Sequence, residues 1–549
     1  MNLADVSLAC AWAMVDALAA GGVEHACLSP GSRSTPIALA LSRHPGIELH
    51  VHLDERSSAF AALGIAKATL RPVIVATTSG TAAAELLPAI VEASHSRVPL
   101  VALTADRPPR LRGTGANQTI DQRELFGRYM RAFQEPTTPA APGDANAWIE
   151  AGLRALFVMR EGPPGPVHVN CPFDEPLTPE GDLTIEAAGA AGPRFDWDPL
   201  ADAGSVTPEE SERFVELVSG RRGVVVVGGW PTDGISGIGR FWTETMGWPV
   251  LAEPQSGARV PGRSLAAGQQ LLADGAWFDA HRPEVVVQLG ATPTSRATQA
   301  LVASVPDLIV ADRFHLDPDP EGQATLRLHV DPQMQGTFVG GRDVRPAPQG
   351  WLEAWKDADA AARGEFDAEL DRLDRPSEPR VARDLAAWIP DGGTLFGGNS
   401  SPIRDLDLAM APRTDLRVLA NRGASGIDGL VSTALGIATA ARGPTYALLG
   451  DLSLLHDAGA LLWNASRGIP LVLVVLNNGG GRVFDRLPQR ELPEFHDLFL
   501  TPHSLDLGAV ATAAGAHHER IDRASDLIPA LERAPRGTAV LEIEVADQG

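Results

Sequence analysis

The stretch YALLGDLSLLHDAGALLWNASRGIPLVLVVLNNGGGRVF, from Tyr446 to Phe484, constrains the fold more than any other part of the sequence. Its run LVLVVL, residues 471–476, is short and apolar, which is typical of a strand buried on both faces of a sheet. An apolar segment ending in Gly450 precedes this run, and a helical segment separates the two. Parallel strands need a crossover of about a dozen or more residues, usually a helix. The stretch therefore predicts a strand–helix–strand unit of a parallel sheet.

Polar residues follow both predicted strands directly. Asp451 comes after the first strand, and Asn478, 27 residues later, begins a turn that contains three glycines. Ligands of open parallel sheets bind at the carboxyl ends of the strands. Magnesium takes carboxylate and carbonyl oxygens and keeps water or phosphate in its shell. Asp, Asn and Gly also dominate ordinary turns, which is the alternative interpretation of each residue alone. The spacing favours a site for a cation that carries a diphosphate.

Strand and helix alternate along the rest of the chain as well, and this predicts parallel sheets with helices on both faces. We expect an α/β protein of three doubly wound parallel-sheet domains. A connector rich in Pro, Asp and Gly (192–209) and a charged helical stretch (351–373) separate them. No repeat at a fixed sequence period is evident. The predicted domains span residues 1–185, 205–345 and 378–549.

The composition of the chain argues against several classes of function. The chain has 549 residues and a net charge of −23, which argues against nucleic acid or an anionic membrane as a partner. Only two lysines, Lys67 and Lys356, are present, and their predicted helix and linker positions disfavour pyridoxal-phosphate chemistry. Three scattered cysteines predict neither a disulfide framework nor a zinc site.

The beginning of the chain bears on the compartment. The first residues, MNLADVSLACAW, lack a basic segment before an apolar core, so we expect no secretory signal. We also expect no run of about 18 apolar residues that could cross a membrane. The cytoplasm is the predicted location.

The GD…NN segment resembles the diphosphate-binding motif of thiamine-diphosphate enzymes. The resemblance implies that thiamine diphosphate is the cofactor and that Mg2+ or Mn2+ is held by Asp451, Asn478 and the carbonyl of Gly480. It also implies that the first predicted domain binds the pyrimidine ring of the cofactor and that the third binds its diphosphate. Further cofactor contacts implied in this way are Ser400, Gly450, Leu452, Ser453, Val483 and Phe484.

Glu55 fits the second requirement of that family, a glutamate at the aminopyrimidine ring of the cofactor. The segment 47–53 alternates apolar and polar residues like a strand, and an Ala-rich helical stretch begins near Arg56. Glu55 therefore lies at a predicted strand-to-helix junction. A solvated glutamate stabilised by the helix dipole is the alternative interpretation. Beside the GD…NN pair, we predict that Glu55 is catalytic and activates the cofactor.

Four arginines follow predicted strands in the first and third domains. Arg33 lies in SPGSRSTP after Ser32, and Arg107 lies in a segment that continues to Asn117 and Gln118. Backbone amides at a helix N-terminus together with arginine make an anion site, whereas solvated surface arginines are the alternative. We predict an acid-binding set that consists of Ser32, Arg33, Arg107, Asn117, Gln118, Arg404 and Arg422.

The same strings resemble a narrower family, the 2-succinyl-5-enolpyruvyl-6-hydroxy-3-cyclohexene-1-carboxylate (SEPHCHC) synthases of menaquinone biosynthesis. The strings SPGSRSTP, HLDERSSAF, TSGTA, ADRPP, GANQTI, GNS, NRGASGIDG, GDLS and NNGGG are in family order, and the resemblance spans Ser29 to Phe484. The resemblance implies decarboxylation of 2-oxoglutarate and addition of the remaining unit to isochorismate. Both substrates are dicarboxylates, which suits bidentate arginine.

The resemblance further implies a homodimer or homotetramer with active sites between subunits. Two alternatives remain at this point. Another thiamine-diphosphate enzyme, such as an acetohydroxyacid synthase or a 2-oxoacid decarboxylase, would share Glu55, Asp451 and Asn478. A non-catalytic regulatory protein could also keep the same fold. The role of Arg296 in the predicted middle domain stays open.

Overall fold

A computed structural model describes residues 2–180, 197, 204–229, 237–314, 318–372 and 374–545. These residues form three parallel β-sheets, each flanked by helices. The predicted fold class, three doubly wound parallel-sheet domains, is confirmed. Most of the predicted connector at 192–209, and the ends of the predicted domains at residues 1, 185 and 549, lie outside the described residues.

The first sheet has strand order β2-β1-β3-β4-β6-β5 in the described residues, and all its pairings are parallel. Its strands are β1 (His25–Leu28), β2 (Glu48–Val51), β3 (Val73–Thr77), β4 (Leu100–Asp106), β5 (Ala132–Gln134) and β6 (Val167–Pro172). Its helices are α1 (Leu3–Ala20), α2 (Thr35–Arg43), α3 (Glu55–Thr69), α4 (Thr81–Ala84), α5 (Leu87–Ser96) and α6 (Ala145–Glu161).

The middle sheet has strand order β11-β10-β9-β7-β8 in the part that the structure describes. Its strands are β7 (Gly223–Val227), β8 (Val250–Ala252), β9 (Val285–Leu289), β10 (Asp307–Ala311) and β11 (Ala324–Leu328). Its helices are α7 (Pro208–Val218), α8 (Ile238–Arg240), α9 (Gly268–Ala273), α10 (Gly275–Ala280), α11 (Arg296–Ser304) and α12 (Gln335–Phe338), and α13 (Trp351–Asp371) leads to the third domain.

The third sheet has strand order β13-β12-β14-β15-β17-β16 over the described positions, again fully parallel. Its strands are β12 (Thr394–Gly397), β13 (Arg417–Ala420), β14 (Thr445–Gly450), β15 (Leu471–Asn477), β16 (His517–Ile521) and β17 (Thr538–Glu544). Its helices are α14 (Glu378–Trp388), α15 (Ser401–Ala409), α16 (Leu430–Ala440), α17 (Asp451–His456), α18 (Ala458–Asn464), α19 (Leu507–Ala513) and α20 (Leu527–Arg533).

The first and third sheets are each buried on both faces, as the apolar run in β15 predicts for the third sheet. Val474 and Leu476 of β15 pack into one hydrophobic cluster, whereas Leu473 and Val475 pack into another on the opposite face. Strand β3 divides in the same way between the two clusters of the first domain. Side chains of a strand point alternately to the two faces, so one apolar run supplies two cores.

The first and third domains contact each other through α3 and α16. A Cβ atom added at Gly64 of α3 would lie 2.1 Å from the carbonyl oxygen of Thr433, and one added at Gly436 of α16 would lie 2.1 Å from the carbonyl oxygen of Ala61. The two helix backbones therefore approach closely at a crossing where both helices carry glycine. This contact fixes the relative position of the two domains within one chain.

Three local expectations differ from the structure. The helical stretch predicted across residues 82–94 is divided into α4 and α5, because Pro88 occupies the first turn of α5 and cannot continue a preceding helix. The strand expected at residues 249–257 ends at Ala252, before Pro254. By length and composition α1 could cross a membrane, contrary to expectation, but 61% of it is buried and core helices pass the same test.

Candidate active site

The first part of the site is built around Asp451, at the carboxyl end of β14. This carboxylate is buried, and its Oδ2 accepts hydrogen bonds from the backbone N–H groups of Gly479 at 2.9 Å and Gly480 at 3.0 Å. The Nε2 atom of His503 lies 3.1 Å from the same oxygen. The structure thus brings Asp451 and the turn after β15 together, as the spacing predicts. His503 was not predicted, because a single histidine in a polar loop carries no sequence signal.

Asn478 and Gly480 complete this part of the site. The Nδ2 atom of Asn478 donates to Oε1 of Glu378 at 2.7 Å, while its Oδ1 is buried and has no hydrogen-bond partner among the described residues. Gly480 has a φ of 143°, and a Cβ there would lie 2.3 Å from the carbonyl oxygen of Leu500, so only glycine fits the turn. An unpaired buried amide oxygen beside a carboxylate suits a hard cation with oxygen ligands.

Burial sets the electrostatics of Asp451. Loss of water raises the pKa of its carboxyl group, and the backbone amides and His503 oppose the rise. A cation bound at its oxygens would stabilise the ionised form. The residues present therefore fit Mg2+ or Mn2+ held against a diphosphate.

The other predicted cofactor contacts lie around the same strand ends. Ser400 follows β12 and has a φ of 72°, an uncommon value for a residue other than glycine. Val483 and Phe484 lie half-buried in the turn after the glycines, where Phe484 packs edge-on against Phe499 with ring centroids 5.7 Å apart. Gly450, Leu452 and Ser453 adjoin Asp451 directly, and the Leu452 N–H donates to Oδ1 of Asp451 at 2.7 Å.

The second part of the site is an arginine cluster beyond β12 and β13. Arg404 donates from Nη1 to the carbonyl oxygen of Ser400 at 2.5 Å. Its outer surface is exposed, yet partial burial lowers the pKa of its guanidinium, and the nearby guanidinium groups of Arg296 and Arg486 lower it further. Arg296 is the first residue of α11, so the middle domain reaches the cluster. Repulsion among these cations would be relieved by a bound anion.

Arg422 belongs to the same cluster. Its Nη1 donates to Oδ1 of Asn399 at 3.0 Å, and its Nε is buried without a hydrogen-bond partner in the described part of the chain. Burial lowers the pKa of the Arg422 guanidinium, Glu253 of the middle domain opposes this, and Arg404 adds to it. An unpaired, desolvated donor is the condition in which an arginine binds a carboxylate strongly.

The third part of the site lies at the carboxyl ends of β1, β3 and β4. Arg33 is buried, donates to the carbonyl oxygen of Phe173 and to Oε1 of Glu175, both at 3.0 Å, and leaves its Nε without a partner among described residues. Arg107 is also buried and contacts the Ser79 hydroxyl and the Gln118 carbonyl oxygen. Burial, and then Arg33, lower the pKa of Arg107.

The remaining predicted residues of the first domain lie on loops at its surface. Ser32 and Asn117 are exposed, and Gln118 is exposed but anchored by its Nε2, which donates to the carbonyl oxygen of Ser79 at 3.0 Å. Of the seven predicted acid-binding residues, the structure therefore groups Arg33, Arg107 and Gln118 in the first domain and Arg404 and Arg422 in the third. The side chains of Ser32 and Asn117 make no hydrogen bond that would tie them to either group in the described structure.

Glu55 is the first residue of α3 and is separated from the end of β2 by residues 52–54, so it lies at the predicted strand-to-helix junction. Asp54 caps the helix by accepting from the N–H groups of Arg56 at 2.8 Å and Ser57 at 3.3 Å, which frees the half-buried Glu55 side chain. Burial raises the pKa of the Glu55 carboxyl group, and Asp54 and Glu85 raise it further. A carboxyl group with a raised pKa is better suited to proton transfer than a fully solvated one. Within one chain, the described residues show no hydrogen bond or ion pair that joins Glu55 to Asp451.

Three family models match the chain, all of thiamine pyrophosphate enzymes. They are the N-terminal binding domain over residues 9–125, the middle domain over 201–396 and the C-terminal binding domain over 408–544. A protein of Thermobifida fusca named SEPHCHC synthase is 43% identical, and the alignment covers 96% of this chain and 94% of that protein. The chain belongs to the SEPHCHC synthase family of thiamine pyrophosphate enzymes.

Other relatives with the same name agree. The SEPHCHC synthase of Chloroflexus aurantiacus is 41% identical with coverage of 92% of this chain and 88% of that protein, and the one of Saccharopolyspora erythraea is 40% identical with coverage of 98% and 95%. The predicted family, and dependence on thiamine diphosphate, are confirmed. The chain is a thiamine-diphosphate-dependent transferase that couples decarboxylation to carboligation.

The two binding domains of the SEPHCHC synthase family carry the two halves of the predicted cofactor site. Glu55 lies in the N-terminal match, and Asp451 and Asn478 lie in the C-terminal match. The match to the middle domain extends to residue 396, although β12 pairs within the third sheet. The limits of the three predicted domains stay a prediction.

Proposed function

We propose that the chain decarboxylates 2-oxoglutarate and joins the remaining four-carbon unit to isochorismate, in menaquinone biosynthesis. The observation that carries the proposal is the pair of desolvated arginine groups, Arg33 with Arg107 and Arg404 with Arg422. Two dicarboxylate substrates bring up to four carboxylates into one cavity. Two groups of buried or partly buried arginines suit that charge and do not suit a monocarboxylate such as pyruvate.

The cofactor site of the proposal uses the residues around β14 and β15. Asp451, the Oδ1 atom of Asn478 and the Gly480 carbonyl would hold Mg2+ or Mn2+ against the diphosphate. When bound, thiamine diphosphate supplies the carbon nucleophile and the electron sink that decarboxylation and carbon–carbon bond formation require. Gly450, Leu452, Ser453 and Ser400 would contact the cofactor, and Val483 with Phe484 would provide an apolar wall that excludes water.

Glu55 has the proton-transfer role in this proposal. Its carboxyl group, whose pKa is raised by burial, would lie at the aminopyrimidine ring of the cofactor and would hold or release a proton there. The arginines bind and orient the carboxylates of the substrates. Ser32, Asn117 and Gln118 contact the substrates from the loops of the first domain, and Arg296 extends the third-domain cluster from the middle domain.

The proposal includes a homodimer or homotetramer. The family resemblance supports it, because in thiamine-diphosphate enzymes the first domain of one subunit and the third domain of its partner enclose the cofactor, as in a symmetric dimer. The cytoplasm is the proposed location, where both substrates are soluble anions.

An absorbance assay of isochorismate tests the proposal. The purified protein, supplied with thiamine diphosphate and Mg2+, should consume isochorismate only when 2-oxoglutarate is present. Consumption of pyruvate in place of 2-oxoglutarate would indicate an acetohydroxyacid synthase or a decarboxylase instead. Failure to bind thiamine diphosphate with Mg2+, measured by calorimetry, would indicate a non-catalytic protein of the same fold.

A further inference from the structure

A buried carboxylate of the first domain holds a loop of the third domain. Glu92, in α5, is 3% exposed. Its Oε1 accepts from the N–H of Gly423 at 2.9 Å, and its Oε2 accepts from the N–H groups of Ala424 at 2.6 Å and Ser425 at 3.4 Å. Three successive amides of the loop after β13 therefore converge on one side chain that is more than 330 residues away in sequence.

Lys67 holds the other side of the same loop. Its Nζ donates to the carbonyl oxygen of Ala420, the last residue of β13, at 2.8 Å and lies 3.7 Å from Oε1 of Glu92. Burial lowers the pKa of Lys67, and Glu92 opposes this. The residues held by Lys67 and Glu92 flank Arg422 in sequence. We call this arrangement, Glu92 with Lys67, the loop clamp.

The loop is packed tightly against α5 as well as hydrogen-bonded to it. A Cβ atom added at Gly423 would lie 2.6 Å from the backbone carbonyl oxygen of Glu92 and 2.7 Å from the Ser96 hydroxyl. Ser96 in turn donates to Oε1 of Glu92 at 2.5 Å. The backbone beside Arg422 consequently has little freedom to shift.

A buried ion pair is a poor source of stability, because desolvation of two charges offsets their attraction. Stabilisation of the domain contact alone therefore explains the clamp poorly. Arg417 makes a second contact between the two domains, with which the clamp can be compared. It joins the same two domains through hydrogen bonds to the carbonyl oxygens of Ala68 at 2.6 Å and Lys67 at 2.8 Å, and it lies at the opposite end of β13 from the Arg422 loop.

We propose that Glu92 and Lys67 are positioning residues that fix the Arg422 guanidinium for a carboxylate of the substrate. The inference rests on the proposed function, which assigns Arg422 to the acidic substrates. The guanidinium is held at its own end by Asn399, whose Nδ2 donates to the carbonyl oxygen of Gly426 at 2.7 Å. The clamp fixes the backbone of the loop, and Asn399 fixes the side chain and the far end of the loop.

Three variants separate positioning from general stabilisation. Glu92→Gln keeps the side-chain shape but replaces one acceptor oxygen with an NH2 group that faces backbone donors. Because this variant leaves Lys67 buried without its partner, Glu92→Gln with Lys67→Met removes both charges and restores electrostatic balance without restoring the clamp. Arg417→Gln is the matched control, since it weakens the same domain contact at the opposite end of β13 and acts on the main-chain carbonyls of Lys67 and Ala68, not on the Lys67 and Glu92 side chains.

Hydrogen exchange, steady-state kinetics, cofactor binding and the melting temperature are measured on the full-length protein. Hydrogen exchange of the peptide that covers residues 419–428 should become faster in both Glu92 variants and stay unchanged in Arg417→Gln. The KM for 2-oxoglutarate or isochorismate should rise about tenfold in the Glu92 variants, with a smaller change in kcat and an unchanged Kd for thiamine diphosphate. Arg417→Gln should lower the melting temperature with a wild-type KM.

Wild-type exchange and wild-type KM values in the double variant would overturn the proposal. An equal rise of KM in Arg417→Gln would also overturn it, because loosening of the domain contact would then be the cause. If the wild-type protein fails to turn over the two dicarboxylates, the proposed function is wrong, whereas the exchange data still report on the clamp.

Discussion

The first and third sheets have the same strand order and different chemistry at their strand ends. Renumbered within each domain, both read 2-1-3-4-6-5 in the described structure, so both reverse direction between their first and third strands. The first sheet presents Arg33 after its first strand and Arg107 after its fourth, with Glu55 after its second strand. The third presents Asp451 and Asn478, with Arg404 and Arg422 beside them. The scaffold therefore determines where a ligand binds, and the residues after each strand determine which ligand.

Because of this difference, the first and third domains have different chemical roles. The third sheet can anchor a cation and a diphosphate, because it offers a buried carboxylate and an unpaired amide oxygen. The first sheet offers a carboxyl group with a raised pKa, which suits proton exchange. Variants in one domain should therefore fail differently from variants in the other.

Glu55→Gln should produce the largest effect on turnover. Because the amide cannot exchange the proton, kcat should fall by about 10²- to 10⁴-fold, while binding of thiamine diphosphate and the melting temperature change little. Steady-state kinetics and calorimetry check this. Glu150→Gln, on an exposed face of α6, is the control. Near-wild-type activity of Glu55→Gln would show that the first domain does not supply the proton-transfer group.

Asp451→Asn should affect binding of the cofactor instead. Loss of the charged oxygen should weaken the affinity for thiamine diphosphate with Mg2+ by about 100-fold, and activity should partly return at high cofactor concentration. Titration calorimetry measures the affinity, with the exposed Asp497→Asn as control. Unchanged affinity would contradict the assignment of cofactor binding to the third sheet.

Arg422→Ala should leave both cofactor functions intact. The KM for a dicarboxylate substrate should rise about 10- to 100-fold, because a desolvated charge pair is lost, with an unchanged Kd for thiamine diphosphate. Arg107→Ala tests the first-domain group in the same assay. If either variant weakened cofactor binding as strongly as Asp451→Asn, that arginine would be assigned wrongly.

Gly436→Ala tests the contact that holds the two domains together. The new methyl group would overlap the backbone of α3 at Ala61, so the free energy of unfolding should fall by about 1–3 kcal/mol. Chemical denaturation measures this. Gly459→Ala is the matched control, because no atom lies within 4 Å of its added Cβ in α18. Equal stability of the two variants would show that the crossing of α3 and α16 accommodates the added methyl group.

The smallest expected effect is an opposite pH response in the two domains. Burial lowers the pKa of His168, in β6, to about 3, so its contribution to stability is lost as the pH falls from 6.5 towards 3. Burial raises the pKa of Asp457, after α17, to about 6, so its contribution is present below pH 3.8 and lost as the pH rises through 6.

Two variants check these signs. The loss of melting temperature between pH 7 and pH 5 should be smaller in His168→Gln than in the wild type and larger in Asp457→Asn. The same pH dependence in all three proteins would mean that other groups govern the acid response.

Much of the fold and part of the site can be predicted from the sequence for a local reason. Each buried strand is an apolar run, and the residues after it lie at the carboxyl edge, so Asp451, Asn478 and Glu55 are located by their neighbours in sequence. The half-exposed strands β11 and β16 have mixed composition and carry a weaker signal. Arg33 and Arg107 are near each other for the same reason, because β1 and β4 end at one edge.

The remaining features depend on contacts between distant residues. No sequence repeat indicates that the first and third sheets share a strand order, because pairing of parallel strands is not encoded locally. The repulsion between Arg404 and Arg296, the contact of Asp451 with His503 and the hydrogen bonds from the Arg422 loop to Glu92 involve residues 52 to 331 positions apart. Lys67 is an example. Its predicted position in the sequence only disfavoured pyridoxal-phosphate chemistry, whereas its contacts in the structure show that it holds the Arg422 loop.

The sequence by itself determined the class of fold, the cofactor and the residue types that meet the substrates, because strand-end motifs are short and keep their spacing. The tertiary structure alone decided which arginines are desolvated, which domain supports the Arg422 loop and how closely α3 approaches α16. Burial and backbone contact are properties of the packed chain, and only packing brings these residues together.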